Sequence, residues 1–211
     1  MGGRATQEER AEAYRRRLLD GLAATIRAKG FRDASVADVV REARTSRSTF
    51  YEQFADLSEA YIALMKQENR RIVAATAAAV DPDAEWRVQV EQAVTAWSDA
   101  GLREPALVRS WIRELGGLGE AGRDLQRELL ESFVELVHVL MDTPQARAAG
   151  ITVPPRPMLV VLLGGLRELL ATSYEDGVPS EVVAATATRA TIALLDPGVD
   201  PGVDAGTEAG P

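Results

Sequence analysis

Residues 41–61 read REARTSRSTFYEQFADLSEAY, and they set short hydroxyl side chains and an arginine beside two phenylalanines and two tyrosines. On a helix that begins near Ser46, Arg47, Ser48 and Tyr51 lie three to four residues apart and share one face. Phe50 and Phe54, at i and i+4, share the opposite face and fit a core. The segment therefore divides into a polar face and an apolar anchor. A helix that enters the major groove of DNA needs that division. Short polar groups and an arginine can approach base edges and phosphates, whereas bulky apolar groups there would block entry.

Working outward, the neighbouring segments have the caps and spacings of helices. Leu18, Leu19, Leu22, Ala23 and Ile26 recur at helical period over residues 7–29, and Gly30 closes that helix. Ser35 and Asp38 form a capping-box pair ahead of Val36, Val39 and Val40, which predicts a short second helix ending near Ala43. Thr45 or Ser46 caps the third helix. Asp56, with Glu59 three residues on, opens a fourth that runs to about Val80, with Ala60, Leu64, Ile72 and Val73 as buried candidates. Three helices in the first 54 residues, the last two short and joined tightly, outline a helix-turn-helix unit.

The segment SVADVVREARTSRSTFYEQFADLSEAY, residues 35–61, resembles the helix-turn-helix signature of the TetR family of bacterial transcriptional regulators. Ser35, Val36, Asp38, Val39, Val40, Ala43, Ser46, Thr49, Phe50, Tyr51, Phe54 and Tyr61 stand where that signature asks for them. The resemblance covers about residues 14–65. It implies an all-α protein with a three-helix DNA-binding domain (1–55) and a helical effector-binding and dimerisation domain (56–195). It also implies a homodimer on double-stranded operator DNA, with Ser35, Arg44, Thr45, Ser46, Arg47, Ser48, Thr49, Tyr51 and Gln53 as candidate DNA contacts. The departures are local. Arg44 and Thr45 replace a glycine and a valine in the turn, Ser48 replaces the glycine or proline of the family's recognition helix, and Gln53 stands where His or Tyr is usual. Leu57 and Ser58 replace a Lys-Glu pair, so one backbone phosphate contact is expected to be missing.

Beyond residue 56 the pattern stays helical, with predicted helices at about 84–100, 104–115, 121–142, 156–176 and 179–195, and with breaks at GGLGEAG (116–122) and TPQARAAGITVPPRP (143–157). Trp86, Trp97, Trp111, Phe133, His138, Met141 and Tyr174 are the candidates for lining a pocket for an unidentified small apolar effector. The leucine-rich segment 156–176 and the Ala/Thr-rich segment 179–195 suit a four-helix dimer interface, with Leu159, Leu163, Leu166, Leu170, Val183, Ala187, Ala190 and Leu194 as its candidates. The Pro/Gly/Asp-rich stretch from 196 on is expected to be a disordered tail.

Composition bounds the function. The chain of 211 residues carries a net charge of −8, but residues 1–54 hold 11 Lys/Arg against 8 Asp/Glu, leaving 13 and 24 for the remainder. The front end is mildly basic and the rest strongly acidic, which would orient the front toward a polyanion. One histidine and no cysteine remove most metal and nucleophile–base constellations, and no Gly-rich phosphate loop or HExxH occurs. The expectation is a non-enzymatic cytoplasmic regulator with no cofactor, no metal and no membrane span. The alternative is a helical interaction module of the same fold that no longer binds DNA.

Overall fold

The computed structural model describes residues 6–196. The described chain is helical throughout. It runs α1 (Gln7–Lys29), α2 (Val36–Glu42), α3 (Arg47–Gln53), α4 (Leu57–Ala78), α5 (Trp86–Leu102) and α6 (Pro105–Glu114), followed by a 3-10 turn (Leu115–Leu118). Then come α7 (Gly119–Met141), α8 (Pro144–Ala148), α9 (Arg156–Glu175) and α10 (Ser180–Leu195). The expected stretch from 197 onward lies outside the described residues.

The first three helices form because their caps and apolar stripes agree. Thr6 and Glu9 close a capping box on α1, Ser35 and Asp38 close one on α2, Ser46 accepts from the Thr49 amide, and Asp56 accepts from the Glu59 amide. Each cap satisfies helix N–H groups that would otherwise lack a partner, and each contributes about 1 kcal/mol. Leu18, Leu19, Leu22, Ala23 and Ile26 of α1 are all buried, against Val39, Ala43, Phe50 and Phe54. Gly21 lets α1 and α2 touch backbone to backbone. A Cβ there would stand 2.8 Å from the Val39 carbonyl oxygen and 2.9 Å from the Ala43 nitrogen.

The same core continues into the larger part of the chain. Ala60, Tyr61, Leu64 and Met65 of α4 join it, and so do Leu107, Leu115, Leu125 and Leu129. The helix-turn-helix is thus seated on α4 and α6 by shared apolar burial, and no loose linker separates the two. Ala60 and Leu64 are buried as expected, while Ile72 and Val73 are half-buried and Ile72 faces a cavity.

Two details depart from the sequence reading. The break expected at 116–122 is only the 3-10 turn, after which α7 starts at Gly119. The Pro-rich break contains α8, which is capped by Thr143 accepting from the Ala146 amide and has Pro144 at its first position. That cap-then-proline order is itself a helix-start signal.

Asp38 ties the second helix to the first. Its carboxylate accepts from Lys29 Nζ at 2.5 Å, from the Ser35 hydroxyl at 2.5 Å and from Arg41 at 2.9 Å. The Lys29 bond first, then those from Ser35 and Arg41, hold this carboxyl well below the usual carboxylate range despite its partial burial. A carboxyl depressed in the folded state stabilises the fold above its unfolded pKa of about 3.9 and loses that contribution as pH falls through the folded value. Asp38→Asn should therefore melt lower than the parent at pH 7. The deficit should narrow as the pH drops below about 4, which a series of thermal melts would read.

Candidate DNA interface and effector cavity

The candidate interface is the outward side of α3 and the turn before it. Phe50 and Phe54 are almost fully buried, with ring centroids 5.7 Å apart, and they fix the helix from behind. Arg15 of α1 lies over the Phe54 ring at 4.4 Å and donates to the Gln53 carbonyl, which anchors the end of α3. The other side is open. Ser46, Arg47, Ser48 and Tyr51 are exposed, and Tyr51 is 58% accessible. The Tyr51 ring meets Phe50 edge-on at 5.4 Å, so its direction is set while its hydroxyl remains outward. Thr45, Thr49 and Gln53 are half-buried. Ser46 and Thr49 pair hydroxyl to hydroxyl at 2.9 Å, and Ser35 is engaged with Asp38, so these three already hold structural bonds. Ser48 donates to Glu52 at 3.3 Å, which sets a carboxylate on the same exposed side.

Arg44 occupies the left-handed region at φ 50°, where the sequence comparison expects glycine. Arg17 of α1 holds the turn by donating to the Ala43 carbonyl at 2.7 Å and the Arg44 carbonyl at 2.9 Å. The left-handed conformation costs a side-chain-bearing residue about 1 kcal/mol. Arg44→Gly should therefore raise stability by up to ~1 kcal/mol, read as a higher melting temperature. A fall instead would mean that the Arg44 side chain supports the turn. The roles of Arg15 and Arg17 were not anticipated from sequence. Both lie in a run of three arginines that reads as a solvated surface.

The second site is a cavity of about 420 Å³, open on one side, lined by α4, α5, α6, α7, α8, α9 and α10. Of the sequence candidates, Trp86, Trp97, Trp111, Phe133 and Met141 line it. His138 and Tyr174 do not line it and are exposed. On α7 the wall is formed by Leu130, Phe133, Val137 and Leu140 at i+3 and i+4 steps, and His138 falls off that stripe. Polar groups missed in the sequence also face the cavity, among them Asn69, Gln89, Arg167 and Thr191. Gln89 is fully used, donating to the Pro82 and Ala84 carbonyls and accepting from Thr143.

One helix joins the two sites. Leu107, Val108 and Trp111 of α6 line the cavity. On its neighbouring face, Ser110 donates to Glu114 at 2.6 Å and pairs with the Tyr61 hydroxyl at 3.1 Å. Since the Ser110 hydrogen goes to Glu114, Tyr61 is the donor in that pair. Burial pushes the Tyr61 phenol above its ordinary range and keeps it protonated for that bond. Glu114 also accepts from the Phe31 amide at 3.1 Å, and Phe31 stacks on Tyr61 with centroids 4.0 Å apart. Glu104, at the start of α6, pairs with Arg27 in the last turn of α1.

The candidate dimer residues separate into three groups. Leu159, Leu170, Val183 and Ala187 are buried within the protomer. Leu163 and Leu166 face the cavity. Ala190 and Leu194 are exposed. The outward apolar surface of α9 is instead Val161 and Gly165, with Val160 and Gly164 exposed where the cavity reaches the surface, and that of α10 includes Val182, Ala185 and Leu194. Among the described residues α9 is the one helix long and apolar enough by composition to cross a membrane. Its inward side, however, lines the cavity and packs on α6 and α10.

The structure thus joins an exposed polar helix, α3, to an all-helical domain that holds a cavity. Residues 18–57 match the family model described as bacterial regulatory proteins, tetR family. No curated protein matches the chain. The fold is similar to that of a Rhodococcus sp. protein assigned to the TetR family of transcriptional regulators, with TM-score 0.72 and 19% identity over 87% of this chain and 99% of that one. It is also similar to the transcriptional regulator FadR from Bacillus subtilis in complex with stearoyl-CoA, with TM-score 0.71 and 15% identity over 87% and 98%. Salmonella enterica GusR is similar at TM-score 0.69 and 16% identity over 92% and 99%. The chain has the all-helical fold of TetR-family transcriptional regulators, with the family's helix-turn-helix at its N-terminus.

Proposed function

We propose that this protein is a homodimeric transcriptional repressor that binds a palindromic operator in the cytoplasm and leaves it when a small apolar molecule fills the cavity. We divide the chain into a DNA-binding unit (1–55) and an effector and dimerisation unit (56–195). Arg47, Ser48 and Tyr51 are the main DNA contacts, with Arg44, Thr45 and Gln53 at the margin and Ser35, Ser46 and Thr49 supporting as caps. Trp86, Trp97, Trp111, Phe133 and Met141 line the effector site.

The observation that carries this reading is α6, whose Trp111 faces the cavity while its Ser110 and Glu114 hold Tyr61 and Phe31 beneath the helix-turn-helix. A ligand that displaces Trp111 moves the support of α1, and with it the position of α3. Two recognition helices must reach successive major grooves about 34–36 Å apart, so a modest tilt in each protomer is enough to lose one half-site. The ligand acts only through a difference in its affinity for the two arrangements. The stearoyl-CoA held by the similar FadR supports a long apolar chain as the occupant.

The test is a mobility shift of the chain on the DNA flanking its own gene, at two salt concentrations. Specific, salt-sensitive binding that an apolar ligand weakens is the expected result. Absence of binding at low salt overturns it and favours the interaction module, for which the half-buried Leu57 and the acidic bulk would then be the explanation.

A further inference from the structure

The charged side chains that line the cavity are Glu68, Arg71, Glu104 and Arg167. Three of them are neutralised within the protein. Glu68 pairs with Arg71 at 2.8 Å, Arg71 also donates to the Ala100 carbonyl, and Glu104 pairs with Arg27. Arg167 has no carboxylate partner among the described residues, and its Nε is buried without an acceptor. Its guanidinium lies 5.7 Å from the centre of the Trp111 ring. The Trp111 indole N–H is also buried without an acceptor. Both groups can only donate hydrogen bonds. A half-buried guanidinium at an apolar cavity, with its Nε out of contact with solvent and with no anion beside it, leaves a donor unsatisfied.

The cavity is also long. Its lining on α5 runs from Trp86 to Gly101, which at 1.5 Å per residue is about 22 Å. Leu170, three residues beyond Arg167, touches the Gly101 end, where a Cβ would meet it at 2.7 Å. The Trp86 end is closed by Met141, Ala146, Ile151 and Leu195, all apolar. One end therefore offers two unsatisfied donors, one of them cationic, whereas the length toward the other end is mostly hydrocarbon, its polar groups being the Gln89 amide, already used within the protein, and one neutral hydroxyl, that of Thr191.

We propose that the effector is an amphiphilic monocarboxylate. Its carboxylate accepts from Arg167 and Trp111, and its unbranched apolar chain extends along α5 toward Trp86. The inference rests on the cavity being the effector site and adds the head group. It also gives the ligand a grip on Trp111, the α6 residue that faces the helix-turn-helix support.

The full chain would be titrated with hexadecanoate, with 1-hexadecanol and with the neutral fluorophore N-phenyl-1-naphthylamine, all below their aggregation concentrations, using tryptophan emission and fluorophore displacement. All three tryptophans line the cavity, so occupancy is read directly. The acid is expected to bind at least ~10-fold tighter than the alcohol, the factor that a hydrogen bond to a charged group supplies. Arg167→Gln should bring the acid down to the alcohol and leave the alcohol unchanged, and Arg167→Lys should restore part of the preference. The ligand-free Arg167→Gln protein should melt at or above the parent, because a half-buried charge with no partner has been removed. Equal binding of acid and alcohol by the parent overturns the head-group assignment and leaves the cavity reading intact. So does a lower melting temperature for Arg167→Gln, which would make Arg167 structural. Failure of all three probes to bind removes the cavity reading itself.

Discussion

Alanine at Arg47 and Tyr51 together is expected to lower operator affinity at least ~100-fold while the melting temperature stays within a degree or so of the parent. Both side chains project from α3 into solvent, and among the described residues neither Arg47 nor the Tyr51 hydroxyl has a hydrogen-bond or ion-pair partner. Exposed substitutions of this kind change stability by no more than about 0.5 kcal/mol. A bidentate arginine–base contact is worth about 1–3 kcal/mol, and a two-fold dimer loses it twice. The salt dependence separates the roles. If Arg47 reads a base, the slope of log affinity against log salt is nearly unchanged and the sequence preference relaxes at one position per half-site. If it holds a phosphate, the slope falls by about 2 for the dimer, one for each lost cation. Unchanged promoter occupancy with an intact melt would remove α3 as the recognition element.

Phe50 and Phe54 supply the contrast, since they carry the stability that Arg47 and Tyr51 do not. Both are nearly inaccessible, and truncating such a ring costs about 3–5 kcal/mol. Alanine at Phe50 would also abolish binding, but through loss of the fold. The separation of a buried aromatic anchor from an exposed polar face on a seven-residue helix was legible in the sequence because it is local. An i, i+4 spacing and a serine cap are properties of consecutive residues, and tertiary context did not override them. The turn at Arg44 was legible for the same reason, since the left-handed position belongs to the motif and φ 50° meets it.

What lay beyond the motif was less legible, for a physical reason. α9 is apolar on most of its circumference, so counting leucines along it cannot separate the inward from the outward face. The leucines turn inward, to the cavity and to α6 and α10, Val161 and Gly165 turn outward, and Val160 and Gly164 lie between, exposed at the edge of the cavity. Arg167 reads as a surface residue in a leucine-rich helix. It is half-buried beside Trp111 of α6, a long-range contact with no sequence signature. His138 is the reverse case. The i+3 and i+4 steps of α7 place it outside the cavity stripe, so periodicity could have excluded it had the register been followed residue by residue.

The outward face of α9 carries the second large expected effect. Val161 is 68% accessible, and a Cβ built at Gly165, one turn further on, meets nothing within 4 Å. The protomer therefore has room for larger side chains at both positions. Replacing Gly165 with a residue that favours helix removes a penalty of up to about 1 kcal/mol. Val161→Glu with Gly165→Glu should accordingly leave the protomer folded, with thermal stability equal to or above that of the parent monomer. If this face packs on its counterpart across a two-fold axis, the same change buries four like charges and fills the space that the glycines leave for close helix approach. Sedimentation at micromolar concentration should then show a monomer where the parent is a dimer. Binding to the full palindrome should weaken by about 10²–10⁴-fold, the effective-concentration gain of two linked sites, while binding to a half-site stays as it was. This pattern distinguishes a broken interface from a damaged reader, because Arg47→Ala weakens half-site and full-site binding alike. A variant that remains dimeric and holds the palindrome with parental affinity would place the interface elsewhere. The exposed valines of α9 would then need a different partner to cover them.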